Sequence, residues 1–323
     1  MATTVTITTG ARLHFGPFAA AGASGGQFGG MGMMISQPGY EVVGTKSSQD
    51  QFLAESESDR VRIREFVERI RQQALPPGDR EPVRVQIKRT IPSHSGLGSG
   101  TQLGLAIARA ISVLHGESTG DPRDLARKAG RGLRSAIGLY GFEHGGFLVD
   151  GGRASHQQFG TLVSRVEFPS AWKLILATPP KSQGLSGAAE QQAFSSQPPM
   201  PRSLTSELCR IALLEWLPGL INADFARTSQ AMYEFGLAVG QFFEPVQGGV
   251  FAHPLMNLLA TESRRRGFAG VAQTSWGPTT CVLCESESLG RQLLDDLSQI
   301  DGLDQCDFQI SEPLNQGASI QVD

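Results

Sequence analysis

Apolar and polar positions along the chain change period several times. Thr3 to Thr9 sets Val5 and Ile7 between threonines, the two-residue period of a strand. The alternation runs on through Arg12-Leu13-His14-Phe15, where Arg12 and His14 share one face and Leu13 and Phe15 the other. Met31 to Ser36 and Tyr40 to Thr45 read as further strands. Val61, Ile63, Phe66, Val67 and Ile70 then recur at helical spacing with Arg and Glu between them, up to Pro76-Pro77-Gly78. Val83, Val85, Ile87 and Ile91 return to the strand period, which Pro92 ends. Leu103, Ala106, Ile107, Ala110, Ile111 and Leu114 form a second helical stripe, closed by His115-Gly116. Asp121-Pro122 opens another helix as N-cap and first residue. Residues 198 to 266 are mainly helical. Cys281 to Cys284, the stripe Leu289-Leu293-Leu297 and Cys306 to Ile310 close the chain as β-α-β, the ending of a ferredoxin-like half.

Between the Pro92 strand end and the Leu103 helix lies Ser93-His94-Ser95-Gly96-Leu97-Gly98-Ser99-Gly100-Thr101-Gln102. Glycines allow left-handed backbone and let a ligand approach bare amides. The unpaired amides of a helix start, with the positive end of its dipole, attract anions. Ser95 to Gln102 is therefore the candidate phosphate-binding segment, with Ser99 and Thr101 adding hydroxyls. No lysine follows the last glycine as in a Walker A loop, and Thr101 stands where a dinucleotide-binding fingerprint needs its third glycine.

Composition narrows the class. Of 323 residues, 40% are hydrophobic and 18% charged, as in a folded chain with a sizeable core. A net charge of −3 gives no electrostatic case for nucleic acid or an anionic membrane. No apolar run is long enough for a membrane span, and the first residues read as a strand, not a signal peptide, so a cytoplasmic location is expected. Four cysteines in so long a chain argue against a disulfide scaffold; Cys281 and Cys284, three apart in a strand, point to opposite faces and suit no chelate. Arg123, Arg127, Arg131 and Arg134, with Lys128 alongside, form a basic stripe that could hold a sugar phosphate but reads first as a solvated helix face, with Gly130 and Gly132 as points where the helix can end before Arg134.

The string Pro92-x-x-x-Gly96-Leu97-Gly98-Ser99 resembles the phosphate-binding loop of the GHMP small-molecule kinase superfamily. Its continuation Gly100-Thr101-Gln102 is similar to a non-kinase branch, the β-ribofuranosylaminobenzene 5′-phosphate synthases. Four further segments resemble that branch: Arg12-Leu13-His14-Phe15-Gly16, the turn and strand from Ser135 to Gly152, the loop Thr178 to Glu190, and Gln273-Thr274-Ser275-Trp276-Gly277-Pro278. The resemblance implies an α+β, two-domain GHMP-kinase-like fold, with a ribosomal-S5-like N-terminal half over 1–168 and a ferredoxin-like C-terminal half over 169–323. It implies phosphoribosyl transfer from phosphoribosyl pyrophosphate to 4-aminobenzoate or 4-hydroxybenzoate, with loss of CO2 and pyrophosphate, as in tetrahydromethanopterin biosynthesis. Arg12, His14, Lys181 and Glu190 are the implied catalytic residues, and Glu143, Ser186 and Trp276 the implied substrate contacts. Mg2+ is the implied ion, with no organic cofactor, and a homodimer the implied assembly. The alternative is an ATP-dependent GHMP-family kinase, against which stands the absence of the kinase aspartate at Glu143 or His144. The glycine-rich segment 19 to 32 is a candidate lid.

Overall fold

The computed structural model describes residues 3–19, 27–74, 81–117, 120–180, 184 and 197–323. Strand β1 (Thr4–Pro17) pairs antiparallel with β2 (Gly30–Lys46), with register shifts between Gly10 and Ala11 and between His14 and Gly16. The two strands expected over Met31 to Ser36 and Tyr40 to Thr45 are one long strand, because the irregularity at Gly39 and Gly10 lets it bend without leaving its partner. Beyond β2 lie β4 (Val83–Arg89) and the short β3 (Gln51–Leu53), while β5 (Phe147–Asp150) pairs with the upper part of β2 and with β6 (Leu162–Val166). Val83, Val85 and Ile87 of β4 are buried and alternate with exposed or half-exposed residues, as their spacing predicts.

Helix α1 (Glu57–Ala74) packs on α2 (Ser99–Leu114), which lies across β1 and β2. α2 is buried nearly all round, since α1, α3 (Pro122–Ala129) and α4 (Ile137–His144) cover what the sheet does not. Asp121 caps α3 by accepting from the Arg123 amide, and Gly130, at φ 63°, ends it.

The second sheet has the order β10-β7-β9-β8, made of β7 (Lys173–Thr178), β8 (Val271–Gln273), β9 (Thr280–Cys284) and β10 (Asp307–Ser311). β7 lies between β9 and β10, which are joined through α9 (Glu287–Leu297); this is the split β-α-β of a ferredoxin-like half. α5 (Arg202–Arg210) runs through a π-helical stretch, Ile211–Trp216, into α6 (Leu217–Ile221), and is followed by α7 (Phe225–Gln247) and α8 (Pro254–Arg265). The π-helical stretch carries Trp216 into the interior, where its ring meets Phe15 at 4.9 Å, Phe147 at 5.3 Å and Phe235 at 5.8 Å between centroids. The main core therefore runs without a break from β1 and α2 to α7. The expected division at residue 168 falls in the link between β6 and β7. The last strand, β11 (Ser319–Val322), nonetheless returns to the first sheet and pairs with β1. No described helix is long and apolar enough to cross a membrane.

Candidate active site

The glycine-rich loop is held from two sides. Ser95 Oγ donates to the Pro92 carbonyl at 2.8 Å, closing the turn. Gly96 and Gly98 take φ of 80° and 74°, a region that favours glycine. A Cβ on Gly96 would stand 2.5 Å from the Thr274 carbonyl oxygen and 2.9 Å from that of Gly277, so backbone from the far half of the chain fills its place. Thr274 Oγ1 donates to the Gly96 carbonyl at 3.0 Å in the same contact. On the other side the Arg12 amide donates to the Leu97 carbonyl at 3.0 Å. A Cβ on Gly98 would come within 3.0 Å of Arg12 Nε, so the missing side chain admits the arginine. The amides of Thr101 and Gln102 turn back to the Gly98 carbonyl. Those of Ser99 and Gly100 have no such partner among the described residues, and α2 has no acidic residue in its first turn. This helix start has the form of an anion site, and no acidic side chain of the described residues on the cavity wall competes for it.

The loop opens into a cavity of about 620 Å³. Arg12, Arg62, Arg131 and Arg134 line it, and no Asp or Glu stands on its described wall. Arg62 is held by Asp59 and by Ser93 Oγ, each at 2.8 Å. Arg131 lies over the Phe66 ring at 5.0 Å; burial, and then Arg69, Arg62 and Arg134, pull its pKa below the usual guanidinium range. His14 is 8% exposed, its Nε2 buried and without a hydrogen-bond partner in the wall. Burial, reinforced by the Arg12 guanidinium, pushes its pKa down to about 3, so the imidazole is neutral at physiological pH. Its backbone is bolted to the opposite loop: the His14 amide donates to Thr274 Oγ1 at 3.0 Å, and the Ser275 amide to the His14 carbonyl at 2.7 Å.

The facing wall is apolar, built from Phe15, Val239, Phe243, Val250 and Trp276. Trp276 meets Phe243 edge-on at 4.8 Å between centroids. The turn that carries it has Ser275 and Gly277 in left-handed backbone. Gln273 pins that turn: its amide nitrogen donates to Gln247 Oε1 and the Ser275 carbonyl, and its Oε1 accepts from the Ala252 amide at 2.6 Å. One cavity thus has a cationic flank and an aromatic flank, a form suited to an anionic sugar beside a planar ring.

Of the residues singled out from sequence, Arg12, His14, Gly96 to Thr101 and Trp276 come together on this cavity. Ser95 and Gln102 do not line it. Gln102 is fully buried, accepting from Thr9 Oγ1 and donating to the Gly138 carbonyl, both at 2.9 Å. Glu143 lies off the cavity and accepts from Arg109 at 2.5 Å. Lys181, Ser186, Glu190 and half of the candidate lid, residues 20–26, fall outside the described residues. Within that loop Gly184 is placed: its amide donates to the His94 carbonyl at 2.7 Å, and a Cβ on it would stand 2.1 Å from the Gly277 carbonyl oxygen.

The basic stripe divides. Arg123 and Arg127 pair with Asp121 and Asp124 on the surface of α3, as a solvated face should. Arg131 and Arg134 lie past the Gly130 cap and turn into the cavity. The expectation of one solvated face is corrected there: helical spacing no longer applies once the left-handed cap has redirected the chain. Arg62 was hidden among the alternating charges of α1. Gly130 was the available signal, since a residue after a helix cap leaves the helix face. Among the described residues no three His, Cys, Asp or Glu side chains form a metal-binding group.

Residues 62–146 match the GHMP kinases N terminal domain. Beta-ribofuranosylphenol 5′-phosphate synthase of Methanothermobacter thermautotrophicus is 30% identical over 84% of this chain and 86% of its own length. The protein of the same name from Archaeoglobus fulgidus is 27% identical over 98% and 99%. Among solved structures, mevalonate pyrophosphate decarboxylase from Streptococcus pyogenes superposes with a TM-score of 0.68 at 16% identity, covering 98% of each chain. Homoserine kinase from Cytophaga hutchinsonii does so with 0.64 at 16% identity, covering 99% and 98%. The two structures share the fold.

Proposed function

The chain belongs to the family of the beta-ribofuranosylphenol 5′-phosphate synthases, and from that premise we propose that it is a glycosyltransferase joining phosphoribosyl pyrophosphate to a 4-substituted benzoate. The product is a C-riboside 5′-phosphate, with CO2 and pyrophosphate released, on the route to a methanopterin. The observation that carries the reading is the two-sided cavity: a bare helix start and four arginines facing an aromatic wall.

The chemistry follows from that arrangement. The bond from ribose C1 to the pyrophosphate oxygen breaks, and its electron pair leaves with the pyrophosphate. The Ser99 and Gly100 amides and the Arg12 guanidinium stabilise that departing charge. The ring carbon bearing the carboxylate forms its bond to C1. The bond to the carboxylate then breaks, its electron pair restores the aromatic ring, and CO2 leaves. No net proton transfer is needed. Neutral His14 accordingly serves as a polar contact and not as an acid. Trp276 and Phe243 hold the ring flat against the apolar side and keep water from the activated sugar. Magnesium belongs to the proposal as a countercharge that would travel with the pyrophosphate, since the described wall offers it no carboxylate. A cytoplasmic homodimer is part of the same proposal.

The test is incubation with phosphoribosyl pyrophosphate, magnesium and carboxyl-labelled 4-hydroxybenzoate or 4-aminobenzoate, counting released CO2. Release that needs both substrates supports the synthase and ranks the two rings. No release from either ring, together with ATP-dependent phosphorylation of a small alcohol, would return the chain to kinase chemistry.

A further inference from the structure

We propose that the cavity holds two separate anion sites, and that Arg131, backed by Arg62, forms the second, taking the ribose 5-phosphate while the helix start and Arg12 take the pyrophosphate. The proposal rests on the phosphoribosyl pyrophosphate reading above and adds to it which residue meets which end of the substrate.

Arg131 stands in a fixed place. The left-handed Gly130 redirects the chain, and the Arg131 amide returns to the Ala126 carbonyl at 2.9 Å. The guanidinium crosses the Phe66 ring and reaches the first turn of α2, where a Cβ on Gly100 would lie 3.4 Å from its Nη2. Among the described residues neither a carboxylate nor a carbonyl accepts from it, whereas the surface arginines of α3 each have an aspartate. The charges that act on it most are the cations Arg69, Arg62 and Arg134; Glu65 acts in the opposite sense with a smaller effect and makes no ion pair with it among the described residues. Arg62, on α1, is held to Ser93 and Asp59 and so presents a positioned but partly neutralised charge. Like charges gathered on a cavity wall without a carboxylate there are satisfied by a ligand that brings the anion.

The two sites are built from different elements. Arg12 comes from β1 and touches the loop at Gly98; Arg131 comes from the turn after α3 and touches it at Gly100. Arg12 shares its strand with His14 and Phe15, and all three line the cavity together with Trp276 and Phe243. The reacting C1 must face the aromatic wall, and the pyrophosphate on C1 therefore belongs beside Arg12. The 5-phosphate, on the other end of the sugar, falls to Arg131.

The experiment measures binding of ribose 5-phosphate alone and of pyrophosphate alone, by calorimetry and by melting-temperature shift, for the wild-type chain, Arg131→Gln and Arg12→Gln. Arg131→Gln is expected to weaken ribose 5-phosphate on the order of 10- to 100-fold, the value of a charge-assisted phosphate contact, and to leave pyrophosphate within about threefold, a shift under 1 kcal/mol. Arg12→Gln is expected to do the reverse. Removing one of several like charges leaves the unliganded melting temperature of Arg131→Gln unchanged or raised, and Arg131→Lys recovers part of the ribose 5-phosphate affinity. Equal weakening of both ligands by Arg131→Gln, or of neither, would overturn the division. These readings involve no turnover: a wild-type chain that shows the divided binding but releases no CO2 from any benzoate would sink the synthase reading and leave the two anion sites standing.

Discussion

Replacing Gly100 by alanine separates stability from ligand binding. Gly100 is the second residue of α2 and has ordinary helical backbone, unlike Gly96 and Gly98. Alanine at such a site restricts the unfolded chain and favours the helix, worth about 0.4–1 kcal/mol. Its methyl group meets only Arg131, 3.4 Å from Nη2 and 3.6 Å from Cζ, which is ordinary van der Waals contact and adds no strain. The same methyl group lies against the Arg131 guanidinium on the first turn of α2, beside both proposed anion sites, and takes space that a phosphate oxygen needs. Losing one charge-assisted contact there costs about 1.5–3 kcal/mol, roughly 10- to 100-fold in affinity. The Gly100→Ala chain should therefore melt about 1–3 °C higher, as expected for a domain of this size, and bind pyrophosphate or ribose 5-phosphate at least tenfold more weakly, a cost of about 1.4 kcal/mol. Scanning fluorimetry without ligand and calorimetry with it read the two effects separately. A higher melting temperature with undiminished binding of both ligands would show that no anion sits at this helix start. A fall in both would mean that the substitution damages the fold and that the local reasoning is wrong. Gly98→Ala is the contrasting case: at φ 74°, with Arg12 Cβ 3.2 Å from the new methyl group, it should lower both.

His14 has a folded pKa of about 3 against an ordinary value of 6.5, so the unfolded chain binds its proton first and stability contributed by this group rises with pH across that window. Between pH 7 and pH 5 the loss is about 2 kcal/mol. Urea titrations of the wild-type chain and His14→Gln should differ in pH dependence by that amount, and identical slopes would refute it. Asp150, raised to about 6 by burial, acts in the opposite sense below pH 6, so the comparison must be between variants and not along one curve. Gln102→Leu leaves the buried Thr9 hydroxyl without its acceptor and takes a second donor from the Gly138 carbonyl, a loss of about 1–3 kcal/mol. Pyrophosphate affinity of the folded Gln102→Leu chain should stay within threefold of wild type; a large loss would place Gln102 in the site after all. Trp276→Ala removes one side of the aromatic wall, and steady-state kinetics should show KM for the benzoate rising on the order of tenfold, about 1.4 kcal/mol, with KM for the phosphoribosyl donor little changed. The opposite pattern would exchange the two flanks.

Most of what could be read along the chain depends on neighbours close in sequence. The strand period of β1 and β4, the α2 stripe, the Asp121 cap and the glycine loop are local, because backbone sterics and side-chain spacing act over a few residues. The bare, left-handed turn of Gly96 to Gly98 ahead of a helix start was legible for that reason, and so were Arg12 and His14 as a pair on one cavity. Gln102 shows the limit. It belongs to the loop by sequence, yet the packing of α2 against β1 and α4 turns it inward to Thr9 and Gly138. Glu143 likewise ends at Arg109, since α4 presents it away from the cavity.

Local pattern and motif were enough for an α+β chain, for the glycine-rich turn before α2 and for the family. Packing alone shows that Gly96 must be bare because Thr274 and Gly277 occupy its Cβ position, and that Arg62, Arg131 and Trp276 line one cavity with Arg12. The physical reason is that charge and ring geometry in this site come from β1, α1, the turn after α3, α7 and the turn after β8. Periodicity places each residue on a face of its own element; packing of the elements alone brings those faces together.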